Sequence, residues 1–177
     1  MSSEEWTALA DRVARNVQDY LTGLAAVAKG EGGDETNPLL LLEVSQNLLA
    51  GAQVGASRDI IPQGNWEPPV GGDPDLDALR QKLDTCIKPI DAYVEVFDPY
   101  DTETQITAFR LADDLVDVAA DLLHGLKHYE AGRPMEALWW WQYSYFNHWG
   151  THAGAALRAL HAVVAHARLD VDENAVS

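Results

Sequence analysis

An all-α fold, a single-domain antiparallel bundle of about five helices with a Pro/Gly-rich crossover loop, follows from three features of the sequence. Apolar residues recur at three-and-four spacing in long segments, no run alternates with the period of a strand, and proline and glycine separate the segments. A chain of 177 residues, 47% of them hydrophobic, can bury one core without disulfides or structural metals. The bundle is expected over residues 1–169, with 170–177 as a flexible acidic tail.

The first helix carries Trp6, Leu9, Ala10, Val13, Val17, Tyr20, Leu21, Leu24, Val27 and Ala28 on one face and stops at Gly30. Asn37-Pro38 supplies a cap and a first-turn proline for a second helix running to about Ala56. Its apolar stripe reads Leu41, Leu48, Leu49, Ala52 and Ala56, with Glu43, Gln46 and Asn47 turned away; Gly51 and Gly55 allow close approach of a neighbour. Four of the eight prolines lie between Ile60 and Pro74, which makes that stretch the crossover loop. Asp73-Pro74 opens a third helix through Leu76, Leu79, Leu83 and Ile87, broken at Pro89. A short helical piece through Tyr93 and Val96 follows, stopped by Phe97-Asp98-Pro99.

Thr102 and Gln105 have capping-box spacing, although the fourth helix can start as late as Ala112. Its core face is Leu111, Leu115, Val118, Leu122, Leu126 and Tyr129. Gly132-Arg133-Pro134 leaves almost no loop, so the fourth and fifth helices form an antiparallel hairpin. The fifth runs from about Pro134 to Arg168 with Leu138, Tyr145, Trp149, Ala156, Leu160, Val163 and Ala167 inward.

Twelve basic residues against 28 acidic ones give a formal charge of −16, which repels phosphate backbones and anionic lipid. Direct nucleic-acid or membrane binding is thereby disfavoured, which leaves open a basic protein partner, a cation or mimicry of nucleic-acid charge. The lone Cys86 supports no disulfide, zinc or redox motif, and the acidic N-terminus lacks the features of a signal peptide, so the chain reads as cytoplasmic.

The densest chemistry lies in Trp139–Trp149, where seven of eleven residues are aromatic. Three consecutive tryptophans point 100° apart on a helix and cannot share one core face. Trp140, Tyr143 and Asn147 fall on the far side and Trp139 on the flank, which marks these four as a candidate partner-binding surface. The competing reading is a central helix covered all round.

Asp113-Asp114-Leu115-Val116-Asp117 matches a D-D-x-x-D pattern for magnesium and diphosphate, but no second metal motif accompanies it. Asp114, Asp117, Asp121, His124 and His128 form a stripe read as lying opposite the core, on a solvated face. His148 and His152, spaced by four, are a ligand-like pair read as flanking the aromatic face. Ser144 lacks a glycine elbow and an acidic orienter for nucleophilic chemistry. No catalytic residue, resident metal or cofactor is assigned on these grounds.

Several strings carry a resemblance: Leu40-Leu41-Leu42-Glu43-Val44-Ser45-Gln46, Glu95-Val96-Phe97-Asp98-Pro99-Tyr100, Asp113-Asp114-Leu115 leading to His128-Tyr129, and above all Glu136-Ala137-Leu138-Trp139-Trp140-Trp141-Gln142 with Trp149-Gly150 and Leu157-Arg158-Ala159-Leu160. The chain resembles, from about Trp6 to Leu169, the bacterial and mainly actinobacterial family catalogued as domain of unknown function 5063. That resemblance implies no activity and brings no catalytic residues with it.

Two functional readings follow. The favoured one is a non-enzymatic module that presents Trp139, Trp140, Tyr143 and Asn147 to a basic protein or to a second copy of itself. The alternative is a metal-dependent hydrolase with Asp113, Asp117, Asp121 and His124 as ligands, which requires the acidic stripe to face inward.

Overall fold

The computed structural model describes residues 2–62, 68–72, 74–96, 100 and 106–169. Helix α1 (Ser3–Ala28) opens on a capping box, in which the Ser2 hydroxyl accepts from the Glu5 amide and the Glu5 carboxylate accepts from the Ser2 amide. It ends where Gly30 takes a left-handed φ of 76°. A 3-10 turn at Gly33–Glu35 leads into α2 (Thr36–Gly55), and α3 spans Asp77–Ile87. The α3 start is later than the expected Asp73-Pro74 cap; the Asp75 carboxylate accepts from the Asp77 amide at 3.0 Å. A 3-10 turn at Lys88–Ile90 holds Pro89 where the helix breaks, as expected.

The all-α bundle carries one small addition, a two-stranded ribbon, which corrects the short helical piece expected through Tyr93 and Val96. β1 (Ala92–Val96) pairs antiparallel with β2 (Ile106–Arg110), with Ala92 opposite Arg110 and Val96 opposite Ile106. The stretch through Tyr93 and Val96 is thus extended rather than helical. Its β-branched and aromatic residues favour a pleated surface once a partner of the same character lies alongside. The expected stop at Phe97-Asp98-Pro99, the Thr102/Gln105 box and the 170–177 tail fall outside the described residues.

α4 (Leu111–Glu130), α5 (Pro134–Ser144), a π-helical turn (Tyr145–Trp149) and α6 (Gly150–Leu169) complete the fold. Since α5, the π-turn and α6 follow without a break, five helical rods form the bundle, as the sequence predicts. The π-turn widens one turn by an extra residue and rotates α6 relative to α5. The expected inward stripe therefore holds at Leu138, Trp149, Ala156 and Leu160 and drifts outward by Ala167.

The central rod is α4, packed against α1, α3, α5 and α6. Asp91 from the preceding segment caps its start: the carboxylate accepts from the Ala112 amide at 2.8 Å and pairs with Arg110 at 2.8 Å. Tyr20 of α1 donates from deep in the core to the Leu115 carbonyl at 2.8 Å. Gly125 lets α5 lie against α4, because a Cβ there would stand 2.2 Å from Nε1 of Trp141. Gly51 does the same between α2 and the π-turn, with Trp149 2.5 Å from an added Cβ, so the close approach expected there is present.

The expected α2 stripe is out of phase. Its buried residues are Leu40, Glu43, Val44, Asn47, Ala50, Gly51 and Val54, while Leu42 and Leu49 are exposed. Paired leucines at 40–42 and 48–49 support two possible faces, and packing against α1 and α6 selects the one that buries Glu43 and Asn47.

Candidate functional site

Two features meet where α4, α5 and the start of α6 converge. The first is the acidic stripe of α4, whose position corrects the expectation of a solvated face. Asp114 is 2% exposed and His128 is fully buried, and Asp117, Asp121 and His124 are partly covered. The physical reason is that α4 is the central rod: α1, α3, α5 and α6 all pack on it, which leaves only part of the stripe, such as Asp113 and Asp117, open to water.

Burial of the stripe is tolerated because its carboxylates are paired. The π-turn and α6 run antiparallel to α4 and set one histidine each against them. His148 Nδ1 lies 2.8 Å from Asp121 Oδ2, and His152 Nδ1 lies 2.6 Å from Asp114 Oδ1. Tyr93 of β1 donates to the other oxygen of Asp114. Arg80 of α3 spans Asp113 at 2.9 Å and Asp117 at 3.1 Å. The hydrogen bond to Asp114 raises the His152 pKa above the ordinary value against the opposing effect of burial. Burial raises that of Asp121, opposed by its bond to His148.

The four-residue ligand set expected for a hydrolase is not brought together. Asp113 turns to Arg80, Asp121 to His148, and the His124 ring lies 4.1 Å from the Trp140 ring. What converges instead is Asp117, His148 and His152, each offering a ligand atom within 4.8 Å of the others. The sequence holds the signal in two parts, an acidic run at three-and-four spacing and a His-x3-His pair, but the antiparallel hairpin and the π-turn are what superpose them.

The second feature is the aromatic face of α5. Trp141 points into the core and donates to the Leu122 carbonyl at 3.0 Å; Trp140 is half-buried and donates to that of Asp121 at 2.9 Å. Both bonds run from indole N–H groups to carbonyls of α4 and lock the rotation of α5. Trp139 stacks on Tyr143 with centroids 5.8 Å apart and 19° between planes. Tyr143 remains 52% exposed, Phe146 is 63% exposed, and exposed Asn147 folds its amide back to the Tyr143 carbonyl at 2.8 Å. Trp139, Trp140 and Tyr143 therefore form one ledge, Asn147 buttresses it, and Phe146 is an exposed aromatic neighbour that was not singled out in advance. Gln142, also missed, staples the ledge from beneath: its carbonyl accepts from the Ile60 amide and its amide donates to the Val54 carbonyl, both at 2.9 Å.

Ser144 donates to the Trp140 carbonyl at 2.7 Å, the ordinary bond of a helical serine. Among the described residues, no helix is long and apolar enough to cross a membrane.

A family model matches residues 4–166, and its description is domain of unknown function, DUF5063. The fold is similar to the crystal structure of protein BF1032 from Bacteroides fragilis, with a TM-score of 0.68 at 17% identity over 86% of this chain and 89% of that one. No curated protein matches the chain.

Proposed function

We propose, for a chain that belongs to the DUF5063 family, a non-enzymatic role in which the ledge of Trp139, Trp140 and Tyr143, buttressed by Asn147, takes a basic segment of a protein partner. The observation that carries this reading is the half-exposed Tyr143 stacked on Trp139 above a backbone immobilised by Trp140, Trp141 and Gln142. A rigid aromatic surface loses little entropy on binding, and indole and phenol rings are over-represented where binding energy concentrates. A formal charge of −16 favours a Lys- or Arg-bearing segment, and cation–π contact on the ledge suits such side chains. Steering of such a segment comes from the net charge. The exposed thiol of Cys86 fits a reducing, cytoplasmic setting.

Titration of the chain with Lys/Arg-rich and Asp/Glu-rich peptide pools, followed by tryptophan fluorescence, tests the reading. Basic peptides are expected to bind and acidic ones not. Tyr143→Ala should weaken binding by about 30-fold, the scale of a hot-spot truncation, with an unchanged circular dichroism spectrum. Equal binding by Tyr143→Ala rejects the ledge, and self-association that Tyr143→Ala abolishes replaces the basic partner with a second copy.

A further inference from the structure

We propose that Asp117, His148 and His152 form a binding site for a divalent transition-metal ion of the zinc class, held between α4 and the junction of the π-turn with α6. This site is separate from the ledge reading and stands on its own geometry.

One ligand atom from each residue lies within 4.8 Å of the other two. Ligands of a tetrahedral zinc ion at about 2.0–2.2 Å stand roughly 3.3–3.6 Å from each other. Closure therefore needs shifts of about an ångström, within reach of side-chain rotation alone.

The strongest argument is the orientation of the two imidazoles. Each has its Nδ1 on an α4 carboxylate, Asp121 for His148 and Asp114 for His152. In the neutral ring a proton on Nδ1 donates to that carboxylate and leaves the lone pair on Nε2, the nitrogen that then ligates. Metal-bound histidines almost always donate the other ring N–H to a carboxylate, a backbone carbonyl or water, and a carboxylate in that place fixes tautomer and ring angle and raises basicity. Asp114 is itself fixed by Tyr93. Two such pairs, on adjacent turns and flanking Asp117, go beyond a mere gathering of acids.

Asp117 is pre-set as well. Arg80 holds Oδ1 at 3.1 Å, which leaves Oδ2 for the ion. Asp113, Asp114, Asp117 and Asp121 surround the place with four carboxylates against the Arg80 guanidinium, so a cation offsets an excess of negative charge. Two imidazoles and one carboxylate select zinc-class ions over magnesium or calcium, which prefer all-oxygen shells. Three protein ligands leave a fourth position for water or an exogenous donor, and half-exposed His148 lies on its open side.

The test uses the full chain, stripped with chelator and dialysed against zinc, with bound metal measured and the visible spectrum of the cobalt(II) form recorded. One equivalent of zinc is expected, together with a tetrahedral cobalt band. His148→Ala, at an exposed position that leaves the core intact, and Asp117→Asn should each lower affinity at least 100-fold. Asp121→Asn should lower it about 10–100-fold through the histidine it orients. Tyr143→Ala should leave it unchanged. Absence of zinc binding at micromolar concentration, retention of wild-type affinity by both His148→Ala and Asp117→Asn, or displacement by equimolar magnesium would each overturn the proposal.

Discussion

Glu43 is a carboxylate where the bundle has little to offer one. It is buried on α2 against Gly23 of α1, and its Oε2 has no hydrogen-bond partner; Asn47, one turn on and 1% exposed, likewise leaves Oδ1 unmet. Burial, reinforced by the nearby Asp19 charge, raises the Glu43 pKa above the ordinary carboxylate value. The unfolded chain therefore releases this proton at lower pH than the folded one. The contribution of Glu43 to stability is fully present below the ordinary glutamate pKa and is lost as pH rises through the raised folded value. Glu43→Gln removes that loss. The variant should melt above wild type at pH 7, by about 2–4 °C for each kcal/mol gained in a chain of this size. The two melting curves should coincide near pH 4. A difference that persists unchanged at pH 4 would show that charge is not its cause.

At the scale of elements, the join between the α2 terminus and the α5 rod rests on Gln142, whose amide satisfies one buried group on each side of the turn after Gly55. Gln142→Leu preserves bulk but strands the Ile60 amide, while the Val54 carbonyl keeps its bond from the Ser57 amide at 3.2 Å, at a cost of about 1–3 kcal/mol if the Ile60 amide finds no water. Urea unfolding should show that loss, and hydrogen exchange at the Ile60 amide should accelerate well beyond the global change. Exchange at Ile60 that tracks only global stability would remove the staple from this account. The elements differ in how readable they were. α1 has one apolar face and one partner side, so period alone locates its core, and the proline at the α4–α5 turn announces a tight hairpin. α2 has leucines on two faces, and only the neighbours decide between them. β1 and β2 are five residues each and gain their bonds from one another across a gap in sequence, which no local period registers. The polar stripe of α4 was misplaced because Asp and His suggest water. Arg80, Tyr93, His148 and His152, the partners that permit its burial, come from four other elements. The aromatic face of α5 was visible in outline, since consecutive tryptophans cannot all turn inward, but which of them carries structure depended on the α4 carbonyls they meet.

For the molecule as a whole, charge acts in opposite directions on folding and on binding. Acids outnumber bases 28 to 12, so more pairs of charged groups repel than attract in the folded state, and the compact chain works against its own field. Ion pairs such as Arg80 with Asp113 and Asp117, or Arg110 with Asp91, use several of the few cations and are partly covered, so salt weakens them less than it weakens exposed repulsion. Raising sodium chloride from about 0.01 M to 1 M shortens the screening length from about 30 Å to about 3 Å. The melting temperature should therefore climb across that series, in potassium chloride as in sodium chloride, since screening rather than ion identity is responsible. Association with a basic segment at the Trp139–Tyr143 ledge should weaken over the same range, because long-range attraction is screened together with self-repulsion. A melting temperature that falls with salt would mean that the ion pairs, not the net charge, dominate the electrostatic balance of the bundle. Partner binding that is indifferent to salt would assign recognition to the aromatic contact alone.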